Sequence, residues 1–143
     1  MILVDTNLLV YAYVTQATQH RKARTWLRDQ LASTARVGLP WESLVGFVRL
    51  VTNPRLYPRP ASTADAWRAV ETWLESPAAW IPLPTDRHRE TFGTLLALTG
   101  STGPDVHDAH LAAIALQHGL TVCSADSDFA KFPGLRWDNP LAT

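Results

Sequence analysis

Short runs of β-favouring residues alternate along this chain with longer segments in which apolar residues recur at helical spacing. The first run, Ile2 to Val4, is too short for a helix and is followed by a turn-forming Asp-Thr-Asn. Strands that alternate with helices form a mostly parallel sheet with helices on both faces. We therefore expect an α/β fold in three layers with four to five strands. The predicted strands are residues 2–4, 36–39, 80–83, 121–124 and, as a fifth, 135–137.

Residues that start or stop helices bound the helical segments. Pro40 suits a first helical turn, Ser62 or Thr63 can cap the next helix, and Gly100 and Gly119 each follow a last apolar turn. Proline and glycine make residues 53–60 and 100–104 predicted loops. The predicted helices are residues 6 or 7 to 14, 20–34, 40–51, 63–77, 86 or 87 to 99, and 109–117.

The composition favours one cytosolic domain. A chain of 143 residues has room for one core, so residues 1–143 are expected to form a single domain. The charges of 13 basic and 13 acidic residues cancel to a formal net charge of zero, so an RNA would have to be bound by local cationic groups. Cys123 has no partner for an intrachain disulfide, which fits a reducing cytoplasm. The amino-terminal sequence lacks a secretion signal and no apolar stretch reaches the roughly 20 residues of a membrane helix, so membrane contact is not expected.

Four carboxylates stand where an apolar run meets polar residues. Asp5 follows the first predicted strand, Glu42 lies in the first turn of a helix, Asp108 precedes the apolar run 109–116, and Asp126 follows the strand that contains Cys123. Each alone has a structural explanation as a helix cap or as a partner of the helix dipole. Because parallel strands present their carboxyl ends at one edge, we expect the acids to converge there. A divalent cation would relieve their repulsion.

Four segments in this order carry a family resemblance over nearly the whole chain. They are Ile-Leu-Val-Asp-Thr-Asn-Leu-Leu-Val at residues 2–10, Pro-Trp-Glu at 40–42, Val-His-Asp-Ala-His-Leu-Ala-Ala at 106–113, and Ser-Ala-Asp-Ser-Asp-Phe at 124–129. Each segment alone is weakly specific. Together they resemble the PIN-domain ribonucleases, and within them the VapC toxins of bacterial toxin–antitoxin pairs. The resemblance implies a PIN-like fold, with a parallel sheet between layers of helices.

The same resemblance implies the roles of the acids and their neighbours. Asp5, Glu42, Asp108 and Asp126 would be catalytic residues that bind Mg²⁺ or Mn²⁺. Two choices stay open, since Asp105 lies three residues before Asp108 and could lie close to it, and Asp128 lies two residues after Asp126. We favour Asp108 because the apolar helix is predicted to begin after it, and we favour Asp126 because Asp128 can instead cap the segment before Phe129. The supporting polar residues are Thr6, Asn7, Ser124, Asp105 and Asp128.

An endoribonuclease that acts as a toxin is the implied function. Carboxylate oxygens suit Mg²⁺ or Mn²⁺, and a cation held by Asp5 and Asp108 would activate a water to hydrolyse an RNA phosphodiester bond. Glu42 and Asp126 would orient bound waters or complete a second metal site. The resemblance also implies inhibition of translation, a homodimer, and a cognate VapB-like antitoxin that often inserts an arginine into the acidic pocket.

Basic residues on one helix and in one loop are candidates for RNA contacts. Exposed aromatic side chains such as Trp41 and Tyr57 could stack on unpaired bases, although most of the six tryptophans are expected in the core or a subunit interface. The predicted RNA-binding residues are Arg21, Lys22, Arg49, Arg55 and Arg59, with His20 and Arg24 beside them.

Three alternatives compete with the ribonuclease hypothesis. His107 and His110 have a spacing that can bind zinc, but they lack a recognised third ligand, so His107 better fits a supporting or phosphate-contacting role. A phosphatase of the haloacid-dehalogenase type would need a second aspartate where Asn7 stands. A non-catalytic PIN domain that only binds RNA or a partner is the third alternative, and the intact acids argue against it.

Overall fold

Five strands form one parallel sheet in residues 1–142, the part of the chain that this computed structural model describes. In chain order they are β1 (Ile2–Val4), β2 (Val37–Gly38), β3 (Ala79–Trp80), β4 (Thr121–Cys123) and β5 (Trp137–Asp138). Their order across the sheet is β3-β2-β1-β4-β5, and each neighbouring pair is parallel. The predicted sheet of four to five mostly parallel strands is confirmed.

Six α-helices in the described residues cover the two faces of the sheet. Successive side chains of a strand point to opposite faces, and in β1 Val4 packs on one side while Leu3 packs on the other. The first four helices cover the Val4 side and the last two cover the Leu3 side, which gives the three predicted layers. Within residues 1–142, no helix is long and apolar enough to cross a lipid bilayer. The helices are α1 (Thr6–Tyr13), α2 (His20–Leu31), α3 (Trp41–Val51), α4 (Thr63–Leu74), α5 (His88–Thr99) and α6 (Asp105–His118).

The start of α6 is the main correction to the predicted elements. The helix begins at Asp105 and not after Asp108, with Pro104 at the capping position. The first turn contains a single apolar residue, Val106, and so shows no apolar periodicity, although proline just before it and acids within it are ordinary features of a helix start. Asp105 and Asp108 therefore lie one turn apart on the same helix.

Three other elements end earlier than predicted. Helix α2 ends at Leu31 and not at residue 34, because the Ser33 hydroxyl donates to the Gln30 carbonyl (2.8 Å) and competes with the helix. Strand β3 is shorter than predicted, since Pro82 lacks the N–H that a longer strand would need. Helix α4 ends at Leu74, three residues before Pro77.

The point where the chain changes direction across the sheet lies between β1 and β4. From β1 the chain builds outward through β2 and β3, and it then returns to add β4 and β5 on the other side of β1. Open parallel sheets bind ligands outside the carboxyl ends of the strands at such a point. The Asp5 amide donates to the Cys123 carbonyl (3.0 Å), so the residues that follow these two strands are neighbours.

Helix α3 is attached to the same edge by a buried hydrogen bond and a close contact. The hydroxyl of Ser43, which is fully buried, donates to the Val4 carbonyl at 2.7 Å. One turn later, Gly46 lies so close to α1 that an added Cβ would stand 2.7 Å from Thr6 Oγ1 and 3.1 Å from Thr6 Cγ2. These contacts place the first turn of α3, with Glu42, beside the end of β1.

Gly46→Ala is expected to reduce the free energy of unfolding by about 1–3 kcal/mol, the usual cost of overpacking. Rotation of Thr6 about χ1 can remove only one of its two close substituents, so α1 and α3 must separate slightly. Gly93→Ala is the matched control, because a Cβ there meets nothing within 4 Å. In mid-helix this change should stabilise the fold by about 0.5–1 kcal/mol. Equal effects of the two substitutions in urea denaturation would contradict the close packing of α1 on α3.

Candidate active site

Three elements bring acids to one cavity of about 840 Å³. Asp5 follows β1, Glu42 lies in the first turn of α3, and Asp108 lies in the first turn of α6, and all three line the cavity. Thr6, Trp41 and other residues complete its wall. The cavity thus lies at the carboxyl edge of the sheet and brings together three of the four predicted acids, while Asp126, the fourth, is not among the residues that line it.

Hydrogen bonds to both carboxylate oxygens fix the side chain of Asp5. Oδ1 accepts from the Thr6 amide (2.8 Å), which makes Asp5 the cap of α1, and Oδ2 accepts from the Ser124 hydroxyl (2.7 Å). Burial raises the pKa of Asp5, and these two hydrogen bonds oppose the rise. The charge of Asp126 raises the pKa further. Asp5 is therefore a rigid carboxylate that is costly to keep ionised without a cation.

Ser124 is the centre of a buried hydrogen-bond network after β4. Its hydroxyl donates to Asp5 and accepts from Asn7 Nδ2 (3.1 Å) and from the Asp126 amide (3.0 Å), which uses all of its hydrogen-bonding capacity. Asn7 Oδ1 in turn accepts from the Ala125 amide (3.3 Å). Asn7 and Ser124 therefore hold the two strand ends together. Thr6 instead faces α3, where its hydroxyl lies 3.4 Å from the Ser43 carbonyl.

Asp108 carries the largest perturbation among the acids at the cavity. Burial, followed by the charges of Asp5, Asp126 and Asp105, raises the pKa of Asp108 to about 7. Asp105, Asp108 and Asp128 each offer an oxygen within 4.8 Å of the others. Asp5, Glu42 and Asp126 lie outside that group of three. The acids thus form two sets that share Asp108: the cavity acids Asp5, Glu42 and Asp108, and the group of Asp105, Asp108 and Asp128.

The structure places both Asp126 and Asp128 near Asp108, in different environments. Asp126 Oδ1 accepts from the Asp128 amide (2.9 Å) and caps a short 3-10 helix, Ser127–Lys131. The alternative that Asp128 caps this segment is wrong, because Asp126 does so. Asp128 is exposed and belongs to the three-acid group, whereas Asp126 is linked to Asp5 through Ser124.

Few basic side chains pair with the acids of these two sets. Lys131 Nζ pairs with Asp105 Oδ2 at 2.9 Å, and within residues 1–142 no other lysine or arginine pairs with an acid of the two sets. The pairing with Asp105 raises the pKa of Lys131. Sequence reasoning missed this lysine, and nothing in its neighbourhood along the chain signals the contact. The donor set fits a hard divalent cation, because it consists of carboxylate oxygens that repel one another.

Glu42 has a histidine as its partner. His110 Nε2 donates to Glu42 Oε2 at 2.5 Å, and this hydrogen bond lowers the pKa of Glu42 against the effect of burial. His110 therefore faces Glu42, while His107 is exposed at the cavity wall. Among the described residues, the group of close metal-binding donors contains no histidine or cysteine. The zinc alternative thus gains no support from the geometry.

One of the five predicted RNA-binding cations, Arg49, lines the acidic cavity. Arg21 and Arg59 border other surface pockets, and Lys22 Nζ donates to the Leu141 carbonyl (2.9 Å). Arg55 is exposed in the loop after α3. None of these four residues forms a salt bridge with the acids in the described part of the chain.

Two tryptophans form an exposed apolar surface beside the cavity. Trp41 and Trp67 are 40% and 44% exposed, and their rings stack with centroids 6.4 Å apart and an interplanar angle of 3°. Val45, which is 61% exposed, continues this surface. The other four tryptophans pack against the two cores, as expected for most of them: Trp26, Trp73, Trp80 and Trp137.

Comparison with known proteins identifies close relatives in sequence and in fold. Residues 2–135 match the PIN domain family. Ribonuclease VapC37 of Mycobacterium tuberculosis is 42% identical over 142 residues, 99% of each chain. Ribonuclease VapC43 of the same organism is 43% identical over 141 residues, 99% of this chain and 96% of its own.

Two solved complexes contain chains with a similar fold. A chain of VapBC2 from Rickettsia felis bound to a promoter DNA fragment has a TM-score of 0.71 at 17% identity, covering 97% of this chain and 98% of its own. A chain of VapBC-1 from nontypeable Haemophilus influenzae has a TM-score of 0.68 at 16% identity, covering 99% of this chain and 100% of its own.

Asp108→Asn is expected to change how stability depends on pH in buffer with EDTA. A carboxyl with a raised pKa in the folded state binds more protons folded than unfolded between about pH 4 and 7, so the contribution of Asp108 to wild-type stability falls as pH rises through that range. Asparagine removes this loss. Relative to wild type, the variant should therefore gain about 1–2 kcal/mol between pH 4 and 8, a value discounted for solvent screening. Urea denaturation at several pH values measures it, and a constant difference would contradict the raised pKa.

Proposed function

The chain belongs to the PIN domain family, and on that premise we propose that it is a metal-dependent endoribonuclease of the VapC type. The observation that carries the proposal is the convergence of Asp5, Glu42 and Asp108 on one cavity, with the pKa of Asp108 raised to about 7. Several acids around one cavity repel one another when they are ionised. A divalent cation stabilises the ionised forms, so the cluster fits a cation-binding site.

Mg²⁺ or Mn²⁺ is the cation that we propose for this site. When bound, such an ion lowers the pKa of a coordinated water and neutralises charge on a phosphodiester. Asp5 and Asp108 would be its direct ligands. The hydrogen bonds from Ser124 and from the Thr6 amide hold Asp5 in one orientation, so little conformational freedom is lost on binding. Asp108 would release its proton as the cation binds.

The remaining acids would orient water or complete a second cation site. Glu42 is kept ionised by the hydrogen bond from His110 and can accept a proton or a hydrogen bond from a water in the cavity. Asp126 is held beside Asp5 by Ser124. Asp105 and Asp128 form a separate group with Asp108, in which Lys131 already pairs with Asp105.

RNA is the proposed substrate because the relatives that match over nearly the whole chain are named ribonucleases. Arg49 and Trp41 line the same cavity as the acids and would contact a phosphate and a base of the strand. Arg21, Lys22, Arg55 and Arg59 would contact more distant parts of the RNA. The stacked Trp41 and Trp67 rings offer a flat apolar surface for an unpaired base.

We further propose that the protein is the toxin of a toxin–antitoxin pair and acts in the cytosol, where cleavage of its target RNA would inhibit translation. The similar folds come from VapBC complexes, which supports a VapB-like antitoxin as partner. An antitoxin arginine would suit the acidic cavity, because a guanidinium pairs with carboxylates bidentately and competes with the cation. A homodimer would bury exposed apolar side chains such as Val45.

The alternatives make different chemical demands. A haloacid-dehalogenase-like phosphatase needs an acid where Asn7 stands, yet both polar atoms of the Asn7 amide hold the loop after β4. A PIN domain that merely binds RNA or a partner would not need the acids to stay intact. Asp5, Glu42 and Asp108 all line the cavity, which favours catalysis.

Asp5→Ala and Asp108→Asn are each expected to lower RNA cleavage in Mg²⁺ by at least about 10²-fold, because each removes a proposed cation ligand. Asp29→Asn, an exposed acid on α2, should cleave like wild type. The assay uses purified protein and total RNA with mapped ends, and EDTA should abolish the wild-type activity. Induced expression of the wild type, but not of Asp5→Ala, should stop growth.

Retention of wild-type cleavage by either acid variant, with contaminating nuclease excluded, would show that the proposed mechanism is wrong. Hydrolysis of p-nitrophenyl phosphate without RNA cleavage would favour the phosphatase. RNA binding without turnover of either substrate would favour the non-catalytic PIN domain.

Arg49→Gln is expected to raise KM for RNA by about 3–10-fold with little change in kcat, because a lost phosphate contact weakens binding of substrate and transition state alike. Arg21→Gln removes the same charge from a different pocket and should have a smaller effect. Steady-state kinetics on a short single-stranded RNA at two salt concentrations measure both values. A larger effect of Arg21→Gln would place the RNA along α2.

A further inference from the structure

A chain of hydrogen bonds runs from Glu42 away from the cavity, between α5 and α6. His110 Nε2 contacts Glu42 Oε2, and His110 Nδ1 lies 3.0 Å from His88 Nε2. His88 Nδ1 lies 2.7 Å from Gln117 Nε2. Gln117 Oε1 then accepts from the Thr85 amide (2.8 Å) and the Thr85 hydroxyl (2.9 Å). Neither His88 nor Gln117 has a role in the proposed catalysis.

The backbone amide of Thr85 determines the direction of every hydrogen bond in this chain. An N–H can only donate, so the oxygen of the Gln117 amide faces Thr85 and its NH₂ group faces His88. His88 Nδ1 must then accept, and its ring proton is on Nε2. His88 Nε2 therefore donates to His110 Nδ1, which leaves the ring proton of His110 on Nε2.

The same tautomers follow when the hydrogen bonds are traced from Glu42. An ionised carboxylate only accepts hydrogen bonds, so Glu42 requires a proton on His110 Nε2. Burial lowers the pKa of His88, which favours the neutral ring that this arrangement requires. The two ends impose one consistent set of tautomers.

Packing restricts the rings as well. Phe92 of α5 contacts both of them, with ring centroids 5.3 Å from His88 and 5.5 Å from His110. His110 and Gln117 are two turns apart on α6, and their partners His88 and Thr85 lie at or just before the start of α5. The histidines are thus held by two helices as well as by hydrogen bonds.

We propose that His110, held by His88 and Gln117, is a positioning residue that fixes the Glu42 carboxylate in one orientation at the acidic cavity. This inference rests on the proposed metal-dependent ribonuclease function. A carboxylate with one oxygen held by a directed N–H has fewer orientations to lose when a cation or its water binds. Partners of this kind commonly change metal affinity or activity by about 10–100-fold.

The tautomers provide a test that needs no metal and no activity. In the wild-type protein, ¹⁵N spectra of the histidine rings should show His88 and His110 each with the proton on Nε2. Gln117→Glu has nearly the same shape but cannot donate to His88, so His88 should then carry a proton on Nδ1. A wild-type His110 proton on Nδ1, or an unchanged His88 in Gln117→Glu, would overturn the proposed chain of hydrogen bonds.

Metal binding and kinetics test the consequence for Glu42. In His110→Leu, the affinity for Mn²⁺ by calorimetry and kcat for RNA should each fall about 10-fold or more, with KM nearly unchanged. His110→Gln should recover most of the loss, because its amide can donate to Glu42. His118→Leu is the matched control on the same helix, because His118 contacts the Leu83 carbonyl and takes no part in the hydrogen bonds that lead to Glu42. This variant should bind Mn²⁺ with wild-type affinity.

Wild-type Mn²⁺ affinity in a folded His110→Leu protein would overturn the positioning role. The ribonuclease proposal would still stand in that case if Asp5→Ala had lost RNA cleavage. Circular dichroism verifies that each variant is folded. If the wild type cleaves no RNA, the proposed function fails, and the ring spectra and the Mn²⁺ titration still decide whether His110 positions Glu42.

Discussion

Repulsion among carboxylates at the carboxyl ends of β1 and β4 is the constraint to which the rest of the site responds. The fold compensates each acid differently: Ser124 hydrogen-bonds to Asp5, His110 to Glu42, and Lys131 pairs with Asp105. Asp108 has no comparable partner, and its pKa rises to about 7. The compensation is therefore incomplete at the residue that both sets of acids share. Because the negative charge of Asp108 is not compensated, this cavity suits a divalent cation.

The parallel sheet makes this concentration of charge possible. The change of direction between β1 and β4 opens the carboxyl edge next to Asp5, and helix starts bring Glu42 and Asp108 to it. The close approach of α3 to α1 at Gly46 and the hydrogen bond from Ser43 to Val4 keep that edge rigid. Rigid attachment matters because acids that repel would otherwise separate, and a separated set would bind a cation weakly.

Sequence reasoning succeeded where a local pattern carries the information. Asp5 could be placed because an acid after a short apolar strand must lie at the sheet edge, and Glu42 because Pro40 marks a helix start. It failed at α6, whose first turn contains a single apolar residue, Val106, and therefore gives no apolar periodicity between Asp105 and Asp108. It also could not separate Asp126 from Asp128, since both follow β4 within a few residues and only the 3-10 helix distinguishes them.

The sequence alone determined the alternation of strands and helices, the three-layer parallel fold and the set of acids near its carboxyl edge, because periodicity and end signals are local properties. Tertiary structure alone decided how those acids are held. Glu42 meets His110, 68 residues later in the chain, and Asp5 meets Ser124, 119 residues later. No local pattern encodes these contacts, since the first depends on how α3 and α6 meet at the sheet edge and the second on the pairing of β1 with β4. Which partner compensates each carboxylate therefore depends on the tertiary structure.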